Sequence, residues 1–229
     1  MSVELLPVRG LPEVRPGDDL AELLAPPLRE LGLREGDVLV VTQKVVSKAE
    51  GRLVRARQEE RAAWVAREAR RIVARRGELV IAETRHGFVC ANAGVDASNV
   101  PPGHVSLLPE DPDASAAHIR ASLIQRFGRE HAVIITDSFG RPWRNGIVNI
   151  AIGAAGMQPL LDYRGQADTF GNELRITIMA VADELAAAAE LVMGKVERCP
   201  AAIVRGYRYQ PGPGRAADLV MPPERDLFR

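Results

Sequence analysis

Residues 132–140 read AVIITDSFG and carry the strongest local signal in the chain. The run AVIIT predicts a buried β-strand, and Asp137 and Ser138 follow it directly. Carboxylates at the carboxyl ends of buried parallel strands line the cleft of an open α/β sheet, where hard cations such as Mg²⁺ find oxygen ligands. Asp-Ser-x-Gly is also favourable turn chemistry. The stretch therefore predicts a strand that ends either in a metal ligand or in a turn cap.

Apolar patterning elsewhere predicts a mixed α/β fold, with several short strands and helices that flank them. Buried strands are expected at residues 38–42, 78–83, 132–136 and 201–205. Helices are expected at residues 18–33, 58–76, 113–127 and 174–193, the third capped by Asp113. Pro26 and Pro27 are expected to break the first helix. Residues 83–103, rich in Gly, Asn and Pro, are expected to form a long loop. Residues 141–171 form a second glycine-rich region, which is expected to be flexible.

Composition narrows the class of protein. The 229 residues include 30 basic and 30 acidic side chains, so a surface for nucleic acid is not expected. With 46% hydrophobic residues the chain can bury a sizeable core. No apolar run approaches the roughly 20 residues that span a bilayer, and no export signal opens the chain, so we expect a cytoplasmic protein without membrane contact. Cys90, Cys199 and the four histidines lack zinc-site spacing, so any metal should have oxygen ligands.

The lysines form a small set, because the 30 basic residues include only Lys44, Lys48 and Lys195. A compact ammonium binds phosphate as a point charge. Lys44 and Lys48 flank a predicted strand end, which fits phosphate contact and a solvated turn equally well. Neither a Walker loop nor a G-x-G-x-x-G fingerprint is present, so bound phosphate would need another cradle.

Two further groups of residues have chemistry to offer. The loop NAGVDASN at residues 92–99 holds four oxygen-bearing side chains, which fit either a cation site with Asp137 or a series of Asx turns. Trp143 stands between Arg141 and Arg144, an arrangement that suits a planar anionic ligand.

Eight blocks in order carry a family resemblance: GLPEV, VVTQKVVSKAEGR, ETRHGFVCANAGVDASNVP, TDSFGRPWRNG, AIGAAG, GNELRIT, VADELAAAAELVMGK and AAIVRG. With this order and spacing, the chain resembles the coenzyme F420-0:L-glutamate ligases along nearly its whole length. It also resembles the amino-terminal half of the two-domain actinobacterial form. We therefore expect residues 1–229 to form a single ligase domain without a second, flavin-binding domain.

The resemblance implies an enzyme that joins L-glutamate to the deazaflavin precursor F420-0 through an amide bond. It also implies GTP hydrolysis, two divalent cations (Mg²⁺ or Mn²⁺), K⁺ and an intertwined homodimer. The implied nucleotide-binding residues are Leu11, Pro12, Glu13, Val14, Gln43, Lys44, Lys48, Asn99, Met193, Gly194 and Lys195. The implied cation ligands are Asp96, Asp137 and Ser138, and the residues expected to act in catalysis are Asp137, Lys48 and Arg144.

The chain departs from the family at Lys195, where many members place an acidic or amide cation ligand. A protonated ammonium cannot ligate a cation. Either the second cation site loses a ligand and Lys195 contacts phosphate, or Glu197 takes over as ligand; we favour the first.

The expected mechanism activates the carboxylate of F420-0 by transfer of the γ-phosphoryl group, which gives an acyl phosphate that the glutamate amine then attacks. Two other functions stay open at this point. One is a metal- and nucleotide-dependent kinase that acts on an acidic metabolite, and the other is a non-catalytic nucleotide-binding subunit.

Overall fold

The computed structural model describes residues 2–227 and has the mixed α/β architecture that the sequence predicts. The strands are β1 (Glu4–Val8), β2 (Val38–Thr42), β3 (Leu53–Arg55), β4 (Ala69–Arg76), β5 (Leu79–Thr84), β6 (Val89–Ala91), β7 (His104–Ser106), β8 (Ala132–Arg141), β9 (Arg144–Ala155), β10 (Leu161–Asp162), β11 (Ile178–Met179) and β12 (Ala201–Arg205). The helices are α1 (Leu20–Glu30), α2 (Gln43–Ala49), α3 (Arg61–Glu68), α4 (Pro112–Phe127) and α5 (Val181–Met193).

The main sheet has five strands in the order β1-β12-β2-β8-β9. Its central pair, β2 and β8, is parallel, and the other neighbours are antiparallel. Leu39 and Val133 face one core with α1 and α4, whereas Val40 and Ile134 face a second core with α5. Because helices cover both faces, the central strands are uninterrupted apolar runs.

The end of the parallel pair creates the candidate site. Thr42 and Thr136 form the last parallel pair in the register. Gln43 then begins α2, while Asp137 continues along β8, where it pairs with β9. The side chains that follow both central strands therefore come out at one edge of the sheet.

A smaller unit packs beside this edge. Strands β4, β5 and β6 form an antiparallel sheet, and β3 pairs with β7. Asp96 is joined to Ser106 of β7 by two backbone hydrogen bonds of 3.0 and 2.8 Å. These bonds fix the loop that carries Asp96.

The predicted strands at residues 38–42 and 201–205 are confirmed as β2 and β12, and residues 132–136 form the first half of β8. The strand predicted at residues 78–83 is β5, but it lies in the small sheet. The predicted helix at residues 58–76 is correct only as far as Glu68, since the next eight residues form β4. Pairing with β5, including an ion pair of 3.0 Å between Arg71 and Glu83, outweighs the helical spacing there.

Two expectations about helix caps and breaks were wrong. Helix α1 runs unbroken through Pro26 and Pro27. Each proline removes one backbone donor, and burial of Leu20, Leu24 and Leu28 offsets that loss. Helix α4 is capped by Asp111 rather than by Asp113. The buried Asp113 carboxylate instead accepts hydrogen bonds from backbone N–H groups of β9 and of the carboxyl-terminal segment.

The glycine-rich region at residues 141–171 contains a regular element, the twelve-residue strand β9. One of its glycines, Gly153, is required by packing: a Cβ atom there would overlap the Pro112 carbonyl group at the start of α4. The predicted helix at residues 174–193 begins only at Val181, since β11 pairs with β10 before it.

Candidate active site

Lys44 connects α2 to the loop that carries Asp96. Its Nζ forms an ion pair with the Asp96 carboxylate and donates to the carbonyl oxygen and the hydroxyl of Ser98, at 2.6 and 2.9 Å. The Ser98 backbone N–H also donates to Asp96, at 2.9 Å. Burial works against ionisation of this carboxyl group, but the hydrogen bonds from Lys44 and Ser98 prevail and lower the pKa of Asp96. Asp96 is therefore a fixed anion at neutral pH.

Asp137 lies next to this pair and has the opposite shift. Burial raises the pKa of Asp137 to about 6, and repulsion from Asp96 acts in the same direction. The positive charge of Lys44 and the Ser138 backbone N–H oppose the shift. Two carboxylates thus face one region of the edge, an arrangement that an added cation would stabilise.

Gln43 presents an incompletely paired amide to the same region. Its side chain is buried, and its Oε1 accepts a 2.7 Å hydrogen bond from the Ser47 hydroxyl. The amide helps to hold the pKa of Asp137 down, yet its Nε2 has no hydrogen bond of good geometry within residues 2–227. A buried donor without a partner is costly, so this atom is suited to a ligand oxygen.

Lys48, one turn further along α2, is buried and pairs with Glu13 at 2.5 Å. The pair places the segment of Leu11, Pro12, Glu13 and Val14 beside α2. Val14 is buried in the main core, and Leu11 packs against that core. Because the Glu13 side chain is 74% exposed, this carboxylate can move aside and leave Lys48 to another anion.

Ser138 takes part in a separate group of side chains. Lys195 Nζ lies 2.7 Å from Ser138 Oγ, 2.7 Å from Glu190 Oε1 and 3.3 Å from Asn149 Oδ1. The backbone carbonyl group of Lys195 accepts a long hydrogen bond, 3.4 Å, from the Asn99 side chain. Met193, fully buried at the end of α5, and Gly194 precede Lys195. The hydrogen bond between Asn99 and Lys195 thus joins two of the segments that are expected to bind the nucleotide.

Arg141, Trp143 and Arg144 lie in and beside the turn between β8 and β9, several residues along the hairpin from Asp137. The Trp143 side chain is 82% exposed, and Trp143 adopts a left-handed backbone conformation with φ of 57°. The Trp143 side chain is therefore largely exposed at the outer end of the hairpin.

Comparison with known proteins places the chain in a family. Residues 10–206 match the model of the F420-0:Gamma-glutamyl ligase family. The chain belongs to this family.

Relatives that align with this chain over nearly their whole length support the same assignment. The chain is 47% identical to the coenzyme F420:L-glutamate ligase of Methanopyrus kandleri, with 95% of this chain and 94% of that protein covered. It is 43% identical to the enzyme of that name from Methanothermobacter thermautotrophicus, with both chains fully covered. It is 40% identical to the one from Archaeoglobus fulgidus, with all of this chain and 97% of that protein covered. The resemblance predicted from the sequence and the assignment as a ligase are confirmed.

The cation ligands that the family resemblance implies fall into two groups. Asp96 and Asp137 are close enough for their charges to interact. The Ser138 hydroxyl group is instead hydrogen-bonded to Lys195 and Asn149. No group of three His, Cys, Asp or Glu residues in the described part of the chain could hold a metal ion. Two carboxylates nevertheless suit Mg²⁺ or Mn²⁺, because such ions commonly take one or two carboxylates and complete their shell with phosphate and water oxygens.

Asn149 and Glu190 were not predicted from the sequence, although both form hydrogen bonds or ion pairs with Lys195. Asn149 is buried opposite Ser138 in the β8–β9 register, and Glu190 lies in the last turn of α5. Asn149 is the polar residue inside the apolar run IVNIAIGAA, but the glycine-rich composition of residues 141–171 obscured the strand that carries it.

None of the helices in residues 2–227 combines the length and the apolar character that spanning a bilayer requires.

Proposed function

We propose that this protein joins L-glutamate to the deazaflavin precursor F420-0 through an amide bond, with hydrolysis of GTP, in the biosynthesis of coenzyme F420. One observation carries the proposal: Asp96 and Asp137 meet Lys44 and the incompletely paired Gln43 amide at one edge of the sheet, in a member of this ligase family. Carboxylates for a cation and lysines for phosphates are what a phosphoryl-transfer site requires.

The reaction needs an activated carboxyl group, because a carboxylate does not react with an amine at a useful rate. A carboxylate oxygen of F420-0 attacks the γ-phosphorus of GTP, and the bond from that phosphorus to the bridging oxygen of GDP breaks. The glutamate amine then attacks the acyl carbon and releases inorganic phosphate, while the amine gives up its proton. GDP, phosphate and one amide bond result.

The lysines are suited to hold the phosphates. In the structure their charges are matched by Asp96 and Glu13, so binding of GTP would exchange these carboxylates for phosphate oxygens. Lys44 would then leave Asp96 free to act as a cation ligand together with Asp137. A divalent cation bound there neutralises charge on the phosphate oxygens. Lys48 would fix the position of the nucleotide, and catalysis would come mainly from positioning and charge.

The β8–β9 turn is suited to hold the precursor, whose deazaflavin ring is planar and whose tail is acidic. Trp143 offers an aromatic face, and Arg141 and Arg144 offer bidentate donors for anionic groups. We further propose that the enzyme works as a homodimer and uses K⁺ in addition to the divalent cation.

The test is incubation of the purified protein with GTP, Mn²⁺, L-glutamate and F420-0, followed by mass spectrometry and measurement of GDP. We expect product heavier by glutamyl units, with sustained formation of GDP, beyond one equivalent per enzyme, only when both F420-0 and L-glutamate are present. An Arg144→Ala variant should give the same product but require more F420-0.

The rival functions give different results. A gain of a phosphoryl group instead of a glutamyl unit would identify a kinase. Binding of GTP without release of GDP, with every substrate supplied, would identify a non-catalytic nucleotide-binding subunit.

A further inference from the structure

The Lys195 ammonium group is fully coordinated by oxygen atoms. It has three N–H donors, and three acceptors lie within hydrogen-bonding distance: Ser138 Oγ and Glu190 Oε1 at 2.7 Å, and Asn149 Oδ1 at 3.3 Å. Helix α5 also ends here, and cations are favoured at the carboxyl end of a helix. The ammonium therefore has both its charge and its hydrogen bonds satisfied.

The three acceptors are held in place by one another. The Ser138 hydroxyl donates to Asn149 Oδ1 at 2.7 Å, and Asn149 Nδ2 donates to Glu190 Oε2 at 2.7 Å. Asn149 is buried, and Ser138 lies opposite it across the β8–β9 ladder. A carboxylate, an amide oxygen and a hydroxyl oxygen on three rigid elements form the kind of ligand set that hard cations prefer.

The backbone before Lys195 is shaped to bring the ammonium back to this ligand set. Gly194 has φ of 64° and ψ of −173°, a conformation essentially confined to glycine. A Cβ atom at this position would overlap the Glu197 carboxylate. Glu197 itself accepts a 2.9 Å hydrogen bond from the Val196 N–H and thus closes its own turn. Within residues 2–227, Glu197 thus accepts from its own turn, whereas Glu190 is the carboxylate that pairs with Lys195.

We propose that Ser138, Asn149 and Glu190 form a cation site that this chain fills with its own Lys195 ammonium group. Lys195 then replaces the second divalent cation that the family resemblance implies, and Asp96 and Asp137 bind the exchangeable one. The consequence for catalysis rests on the proposed function. The occupancy of the site does not, because it can be measured without turnover.

The test counts the Mn²⁺ ions bound by the full-length Lys195→Gln variant. Free Mn²⁺ is measured by electron paramagnetic resonance during titration with MnCl₂, in the absence of nucleotide. We expect the variant to bind one more ion per chain than the wild type, since the Lys195 side chain is half exposed and the site opens to solvent. Lys195→Met, which keeps the apolar stem without the charge, is the second variant if Lys195→Gln does not melt cooperatively.

Two controls separate the site from a general effect of charge. Arg126→Gln removes one positive charge from a surface ion pair with Glu22, away from the site, and should bind as many ions as the wild type. Glu190→Gln combined with Lys195→Gln should abolish the additional ion.

A second experiment tests whether the site prefers a monovalent cation. In that case KCl, but not choline chloride at equal ionic strength, should raise the melting temperature of Lys195→Gln and leave that of the wild type unchanged. An unchanged Mn²⁺ count together with no K⁺-specific rise in melting temperature would overturn the proposal.

Discussion

Asp137 is the residue on which the proposed chemistry depends most. Replacement by Asn keeps its size and removes one of the two carboxylates. A single electrostatic contact in a catalytic site is worth about 3 kcal/mol, or about a hundredfold in rate. We expect Asp137→Asn to lower kcat at least a hundredfold in the product assay, with a cooperative melting transition retained. Turnover close to that of the wild type would show that Asp137 is not a cation ligand.

His131 is expected to make stability depend on pH. Its ring is fully buried, and Nε2 has no partner in the described part of the chain. Burial lowers the pKa of His131, and the charge of Arg120 adds to this, while the Arg129 carbonyl group and the charges of Glu130 and Asp37 oppose it. The folded state therefore resists protonation, and the unfolded state takes up a proton below a pH of about 6.5.

The contribution of His131 to the free energy of unfolding should consequently be fully retained above pH 6.5 and fall as the pH drops below it. Melting temperatures at a series of pH values should decline more steeply for the wild type than for His131→Gln. His118→Gln, at an exposed position of α4, should behave as the wild type does. Equal slopes for the wild type and His131→Gln would contradict this origin of the pH dependence.

At the scale of elements, the sequence predicts best where both faces of an element are buried. The central strands are continuous apolar runs because helices cover both sides of the sheet, so their prediction needs no tertiary information. Strands β4 and β9 were missed for two different reasons. The arginines of β4 fit a charged helix until pairing with β5 is known, and the glycines of β9 resemble a loop until the approach of α4 is seen.

The residues of the candidate site also divide into those that local sequence predicts and those that depend on tertiary packing. Asp137, Lys44 and Asp96 were found because each adjoins a strand end or a polar loop. Asn149 and Glu190 were missed, because their role depends on how β9 and α5 pack against β8.

The end of α5 provides a test at this scale. Gly194→Ala should lower the free energy of unfolding by about 1–3 kcal/mol, because alanine is strained at φ of 64° and ψ of −173°. Gly128→Ala, at the end of α4, is the control, since its φ of 63° and ψ of 29° lie in the ordinary left-handed region, which is less costly for alanine. Urea unfolding of both variants measures the difference. A loss for Gly194→Ala no larger than that for Gly128→Ala would be evidence against a special role for this turn.

At the scale of the whole molecule, one buried ion pair joins distant parts of the chain. Arg205 at the end of β12 forms two hydrogen bonds with Asp37, at 2.9 and 2.8 Å, and donates to the Gly32 carbonyl oxygen at 2.8 Å. Both residues are buried. The pair fixes β12, the last strand in chain order, to the loop before β2.

Removal of one partner leaves an unpaired buried charge, which costs about 3–5 kcal/mol. Arg205→Met should therefore lower the free energy of unfolding strongly in urea titrations, and Asp37→Asn in addition should recover part of the loss. Arg126→Met, which breaks a surface ion pair with Glu22, serves as the control and should have little effect. A similarly small effect of Arg205→Met would contradict the structural role of the buried pair.

In the proposed function, Asp96 and Asp137 bind one divalent cation that also contacts the phosphates of a guanine nucleotide. The decisive experiment is a crystal structure of the protein with GDP and Mn²⁺, with the ion located by its anomalous scattering. We predict a single strong peak between the two carboxylates, with Lys44 and Lys48 turned from Asp96 and Glu13 towards phosphate oxygens. Mn²⁺ bound elsewhere, or GDP bound with both lysines still paired to these carboxylates, would contradict the account.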